Sequence, residues 1–210
     1  MLKLNFSQIV GKLDVKKVNQ YLYIMNKVDP EDAAFQEKFS GFYQINDSGW
    51  KSPAMMRPLF FNVFSAFNEM IKKGCSLNYE MIVIMLSKIS GMPEKSFASK
   101  MLHTFCKNEP IIDSKVIGQI KKEKQTKFKG ITGYKYSLNY DSKYKKLPLS
   151  DKVNMAIDLH NCLKEYYDIL KSAQSTISYI NDFDNWCNSQ GINPSLISDT
   201  KKIDFWMWLA

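Results

Sequence analysis

Apolar residues recur along most of the chain every three to four positions, which is the spacing of one face of an α-helix. Residues 15–28, for example, carry apolar side chains at positions 15, 18, 22, 25 and 28. Similar patterns predict further helices over residues 30–42, 53–73, 79–89, 93–105, 115–124, 150–171, 175–189 and 195–208. The pattern therefore predicts an all-α fold.

Residues at the helix ends support this division. Asp29 is a typical N-cap with Pro30 in the first helical position, and Gly74 and Asn78 end one helix and begin the next. Residues 44–52 read as a loop. Residues 79–89 are apolar almost all round, so we expect a buried central helix there.

The least helical part of the sequence is residues 126–149. Within it, aromatic and apolar residues alternate with polar ones over 133–141, which predicts a short β-strand or arm. We expect one two-lobed unit over residues 1–210, in which helices of 150–210 pack back on the N-terminal helices.

Charge is concentrated in one part of the chain. The 210 residues hold 29 Lys+Arg and 21 Asp+Glu, for a net charge of +8. Residues 115–146 contain ten lysines and two acids, so this window alone accounts for +8. The basic segment, residues 115–149, therefore becomes the candidate contact for a polyanion such as nucleic acid. Arg57 is the only arginine.

Several functional classes lack support in the sequence. No apolar run reaches the roughly 18–20 residues of a membrane span, and the start does not read as a signal peptide. The four cysteines are widely spaced without a C-x-x-C pair, so we expect reduced thiols in a cytoplasmic protein with no metal. Phosphate-binding glycine motifs are also missing, and no cofactor is predicted.

The stretch 79–116 carries the most informative motif. It combines an apolar helix, a turn at Gly91, a helix beginning near Lys95, and an extended apolar return that ends at Asp113, eighteen residues after the lysine. This arrangement resembles the helix–hairpin–helix DNA glycosylases, the superfamily of endonuclease III, as a divergent member without the iron–sulfur cysteines. The resemblance implies a two-lobed glycosylase-like fold with its active site between the lobes.

For a glycosylase, the resemblance implies chemistry at two residues. Lys95 would form a Schiff base with the sugar, and Asp113 would stabilise the positive charge that develops there. The helix after Lys95 and the extended return have similar lengths, so we expect Asp113 to lie level with Lys95. We therefore expect a DNA glycosylase with AP lyase activity. It would excise a damaged or modified base during repair or during defence against phage DNA.

The implied partner is double-stranded DNA with one flipped base, bound by a monomer. Candidate DNA contacts are the hairpin at Gly91 and six lysines of the basic segment, namely Lys115, Lys121, Lys122, Lys124, Lys127 and Lys129. Phe42, Tyr43 and Trp50 are candidates for the base pocket. Pro93 departs from the family hairpin, because a proline has no N–H to offer a phosphate.

Two alternatives stay open at this point. The first is a non-catalytic DNA-binding module that retains the glycosylase fold, which Pro93 favours. The second is a helical interaction protein whose basic arm binds an acidic protein. In both alternatives Lys95 and Asp113 are ordinary surface and capping residues at the ends of helices.

Overall fold

The structure, a computed structural model, describes residues 2–45, 53–122 and 146–210. Within these ranges it is helical throughout, as predicted, and contains no β-strand. The nine α-helices of this part are α1 (Val15–Asn26), α2 (Ala33–Phe42), α3 (Pro53–Lys72), α4 (Tyr79–Ser90), α5 (Lys95–Phe105), α6 (Ser114–Lys122), α7 (Leu149–Lys171), α8 (Gln174–Ser189) and α9 (Asp199–Leu209). The predicted β arm over 133–141 lies outside the described residues.

Most helix ends follow the local signals in the sequence. Asn78 caps α4 by accepting a hydrogen bond from the N–H of Met81 at 2.9 Å. Gly91 ends that helix in the left-handed region, with a φ of 68°. The predicted start of the second helix at Pro30 is wrong. The cap is Asp32, which accepts from Ala34 N–H at 2.9 Å, while Asp29 caps only the preceding turn.

Two further predictions need correction. The last helix does not run from 195, because Pro194–Leu196 forms a separate 3-10 turn and Ser198 then caps α9. Helix α4 is not buried all round: Met81, Met85 and Ile89, spaced four residues apart, are 37–46% exposed. Its other face, which includes Ile82, Val83 and Leu86, packs into the core.

The two ends of the described chain pack against each other in the core. Helix α4 lies between α5 and α7, and α9 packs against α6, α7 and α8. Trp206 of α9 donates from its indole N–H to the carbonyl of Asn5 at 3.2 Å. Phe205 contacts the rings of Tyr21 and Phe42. The C-terminal helix is therefore in contact with the N-terminal segment and with α1 and α2.

Candidate active site

The hairpin between α4 and α5 uses several of its N–H groups internally. Gly91 N–H donates to the carbonyl of Ser87 at 2.8 Å, and Met92 N–H donates to the hydroxyl of Ser90 at 3.1 Å. Lys95 N–H is directed to the carbonyl of Pro93 at 2.6 Å. Pro93 is buried. A phosphate at the predicted Gly91 position would therefore compete with these internal hydrogen bonds.

The extended return after α5 runs beside the middle of that helix. Ile111 and Ile112 are fully buried, and Ile112 N–H donates to the hydroxyl of Ser99 at 2.9 Å. Asp113 follows directly and caps α6, because its Oδ1 accepts from Lys115 N–H at 2.8 Å. Because the return runs antiparallel to α5, Ile112 lies level with Ser99, which is four residues or about 6 Å after Lys95, and Asp113 lies level with the turn between them.

A pocket of about 250 Å³ opens where the N-terminal segment, α2, α5, the return and α9 meet. Asp113 lines it together with Phe42 and Tyr43, two of the three predicted base-pocket residues. The third, Trp50, lies outside the described residues. Lys100 of α5 also lines this pocket. Lys95, which the structure likewise describes, does not.

Lys100 is a buried amine at the pocket wall. The residue is 7% exposed, and its Nζ lies 5.7 Å from the ring centre of Tyr43 and 5.9 Å from that of Phe97. Burial lowers the pKa of Lys100, and the nearby carboxylate of Asp113 partly opposes this change. The structure therefore places a buried amine with a lowered pKa near the predicted catalytic carboxylate.

Lys95 lies at the start of α5 in different surroundings. Its carbonyl accepts a hydrogen bond from the hydroxyl of Tyr79 at 3.0 Å. Burial lowers the pKa of Lys95, and the positive charge of Lys121 adds to this effect. Lys121 is near the far end of α6, two turns from Asp113. Lys95 is thus also a desolvated amine, but one that neighbours the end of α6 and not the pocket.

Behind the pocket wall lies a buried ion pair of α9. Lys201 and Asp204 are both fully buried, with Nζ and Oδ2 3.8 Å apart. The Lys201 ammonium is surrounded by five aromatic rings whose centres lie between 3.9 and 5.6 Å away, those of Tyr21, Phe42, Tyr43, Phe205 and Trp208. Four of these rings also line the pocket. The cation therefore holds the aromatic wall in place through cation–π contacts.

Hydrogen bonding at this pair is incomplete. Asp204 Oδ1 accepts from the hydroxyl of Tyr167 at 2.5 Å. In contrast, Asp204 Oδ2, Lys201 Nζ and the indole N–H of Trp208 are buried without a hydrogen-bond partner among the described residues. Burial lowers the pKa of Lys201 and raises the pKa of Asp204. Of these three residues only Trp208 lines the pocket, so the ion pair lies behind the wall and not at its surface.

Exposed lysines surround the pocket. Lys115, predicted as a DNA contact, lines it, as do Lys12 from the N-terminal segment and Lys17 from the first turn of α1. Lys121 and Lys122 are exposed further along α6. The other predicted contacts, Lys124, Lys127 and Lys129, lie outside the described residues. Sequence reasoning missed Lys12 and Lys17, because nothing in the N-terminal pattern indicates that this segment reaches Asp113.

Sequence reasoning also missed three groups at the wall. Lys100 carries a signal, since it lies in an α5 stretch of apolar and small residues where a solvated lysine is unexpected. Lys201 and Asp204 carry a weaker signal: their three-residue spacing places opposite charges on one face of α9, but Asp199 and Lys202 show the same spacing, so the pattern does not indicate which pair is buried.

Comparison with known proteins adds no family assignment: no family model matches the chain, and neither a curated protein nor a solved structure matches it. Of the helices in the described ranges, none is sufficiently long and apolar to cross a membrane. The four cysteines, all of which fall in those ranges, are unpaired.

Proposed function

We propose that the protein is a DNA glycosylase with AP lyase activity, which excises a damaged or modified base flipped into the pocket. One observation carries the proposal. Asp113, the residue that the resemblance implies as the catalytic carboxylate, shares a pocket with the aromatic residues Phe42 and Tyr43 and with a buried lysine amine. A flipped base needs a stacking wall, cleavage of its glycosidic bond needs a carboxylate, and the lyase step needs an amine.

The carboxylate and the amine would have separate tasks. Breaking the N-glycosidic bond creates positive charge on the sugar, and a fixed carboxylate in a partly dry pocket stabilises that charge. The lyase step needs a neutral amine, and burial lowers the pKa of both lysines considered on α5, Lys95 and Lys100. Lys95 is the amine that the resemblance implies.

The pocket suits a single heterocyclic base. Its volume of about 250 Å³ is below the roughly 300–1,000 Å³ typical of sites for drug-sized ligands. Phe42 and Tyr43 are 6% and 4% exposed and form the wall, whereas Trp208 is half-buried and presents more of its ring.

The DNA backbone would be held by the lysines around the pocket. Lys12, Lys17 and Lys115 are exposed at its lining, and their ammonium groups suit phosphate oxygens. Contacts of this kind position the duplex without reading its sequence, so the choice of base would be made inside the pocket.

The proposal is tested by comparing two aspartates with the same local structure. Asp113 and Asp14 both line the pocket, and both cap a helix by accepting from the N–H two residues later at 2.8 Å. Because asparagine is an equally good cap, Asp113→Asn and Asp14→Asn should both fold. We expect Asp113→Asn to reduce base release from duplexes with single modified bases by at least about 100-fold.

Asp14→Asn serves as the matched control and should retain the rate of the wild type. Equal rates for Asp113→Asn and the wild type would contradict the proposed role of the carboxylate. A wild-type protein that binds these duplexes but releases no base from any of them would instead identify the non-catalytic DNA-binding module.

A further inference from the structure

We infer that Lys100, and not Lys95, is the amine that forms the Schiff base with the abasic sugar. The inference rests on the proposed function and specifies the nucleophile at that same site. It departs from the resemblance, which implies Lys95. Two geometric observations carry it: the lining of the pocket, and the rotation between the two lysines along the helix.

The register places Asp113 beside the first half of α5. The hydrogen bond from Ile112 N–H to the Ser99 hydroxyl, 2.9 Å long, aligns the return with Ser99. The return runs antiparallel to α5, so Asp113, one residue beyond Ile112, lies closer than Ser99 to the start of the helix. Its level is between those of Lys95 and Lys100, and Asp113 acts electrostatically on Lys100.

The lining of the pocket selects the same lysine. Lys100 shares the pocket with Asp113, whereas Lys95, in the same described helix, does not line it. Only 7% of Lys100 is exposed, so this small exposed part adjoins the pocket that would receive the sugar. Lys95 instead has Tyr79 at its carbonyl and Lys121 as its charged neighbour.

Helix geometry separates the two amines. Five residues along an α-helix correspond to about 7.5 Å of rise and to a rotation of about 140°. Lys95 and Lys100 therefore project from different faces of α5. Phe97 is three residues before Lys100 and on a neighbouring row, and its ring lies 5.9 Å from the Lys100 ammonium.

The reaction at an abasic site can be written for Lys100 without any further reagent. The neutral Nζ adds to the C1′ aldehyde, and the adduct loses water to give the imine. Loss of a proton from C2′ then expels the 3′ phosphate with the electron pair of the C3′–O bond. Water hydrolyses the imine and regenerates the amine. Burial favours the neutral amine that begins this sequence, since it lowers the pKa of Lys100.

The test uses duplex DNA with one abasic site, so that the identity of the excised base does not matter. Borohydride delivers hydride to C1′ of the imine and leaves the lysine joined to the sugar by a secondary amine. We expect wild-type protein to form this adduct, and peptide mass spectrometry to place it on Lys100. Lys100→Arg, which keeps the charge but cannot form the imine, should reduce adduct formation by at least about 100-fold.

Lys107→Arg, a change at an exposed lysine outside the pocket, is the control and should form the adduct at the wild-type rate. Thermal unfolding of each variant shows whether it folds. An adduct on Lys95, or full trapping by folded Lys100→Arg, would overturn the inference and leave the proposed function intact. If the wild type releases a modified base but never forms an adduct, the proposed lyase activity and this inference are both wrong. The glycosylase part of the proposed function then remains.

Discussion

Lys201 is a fully buried lysine of α9. A fully buried ammonium is costly unless it is compensated, and its charged neighbour on the same helix is Asp204 at 3.8 Å. Five aromatic rings supply the remaining stabilisation through their electron-rich faces. A change at either charge therefore affects both the stability of the fold and the wall of the pocket.

This pair yields a prediction about stability. Lys201→Met and Asp204→Asn should each lower the free energy of unfolding by about 3–5 kcal/mol, because each leaves one buried charge without its partner. The double variant should lose much less than the sum, because it leaves neither charge. Urea unfolding of all four proteins at pH 7 measures the coupling, and strictly additive losses would contradict a direct pair.

At this scale, sequence reasoning predicted part of the site. Phe42, Tyr43 and Asp113, far apart in the sequence, line one pocket. Lys100 was missed, because the eighteen-residue spacing specifies how far the chain travels but not which face of α5 borders the pocket. That face is set by packing of α5 against distant parts of the chain, which no periodicity encodes.

Among the elements, the α4–α5 hairpin depends on the backbone conformation of a single glycine. Gly91 has a φ of 68°, a region that residues with a Cβ rarely adopt. A Cβ at this position would meet no atom within 4 Å, so the requirement for glycine comes from the backbone and not from crowding. Gly118, inside α6, also has open space at its Cβ position, but its helical backbone does not need glycine.

These two glycines form a matched pair for mutation. Gly91→Ala should lower the free energy of unfolding by about 1–2 kcal/mol, because alanine is strained in the left-handed region. Gly118→Ala should raise it by up to about 1 kcal/mol, because alanine favours the helix. Chemical denaturation of both variants measures these changes. Equal effects of the same sign would show that the hairpin does not impose the conformation seen here.

The elements themselves were more predictable than their ends. Apolar spacing identified the described helices, whereas errors arose where two capping signals compete. Asp29 and Asp32 are both N-cap residues, and α2 begins after the second because Asp32 accepts from Ala34 N–H. Near the C-terminus, Pro194 and Ser198 both favour a helix start, and only Ser198 leads into α9.

At the scale of the whole molecule, the net positive charge of the sequence falls in one segment, residues 115–146. The structure adds a second source, because Lys12 and Lys17, before and at the start of α1, line the same pocket as Lys115. Binding of DNA at this pocket would therefore draw on lysines about 100 residues apart in the sequence. The sequence did not indicate this, because the four lysines of residues 1–20 are few beside the ten of residues 115–146.

This arrangement predicts the salt dependence of DNA binding. Replacing Lys12, Lys17 and Lys115 with alanine should weaken binding to a duplex and flatten the plot of log affinity against log salt concentration. The slope should change by roughly 0.9 for each phosphate that the protein no longer neutralises. Fluorescence anisotropy between low and moderate salt measures it.

The control removes the same charge elsewhere, at Lys3, Lys73 and Lys107, which are exposed and lie away from the pocket lining. This variant should keep a slope close to that of the wild type. An equal change of slope in both triple variants would mean that DNA responds to net charge and not to this surface.

The pocket also has a consequence for the order of folding. Its lining extends from Lys12 to Leu209, and Lys12 Nζ donates to the carbonyl of Leu209, 197 residues away. Contacts between such distant residues close very long loops, and they form slowly compared with local helices. During synthesis, helices α1 to α8 can form as they leave the ribosome, but the pocket cannot be completed until α9 has emerged. A nascent chain could therefore hold most of its helices before it had a site at all.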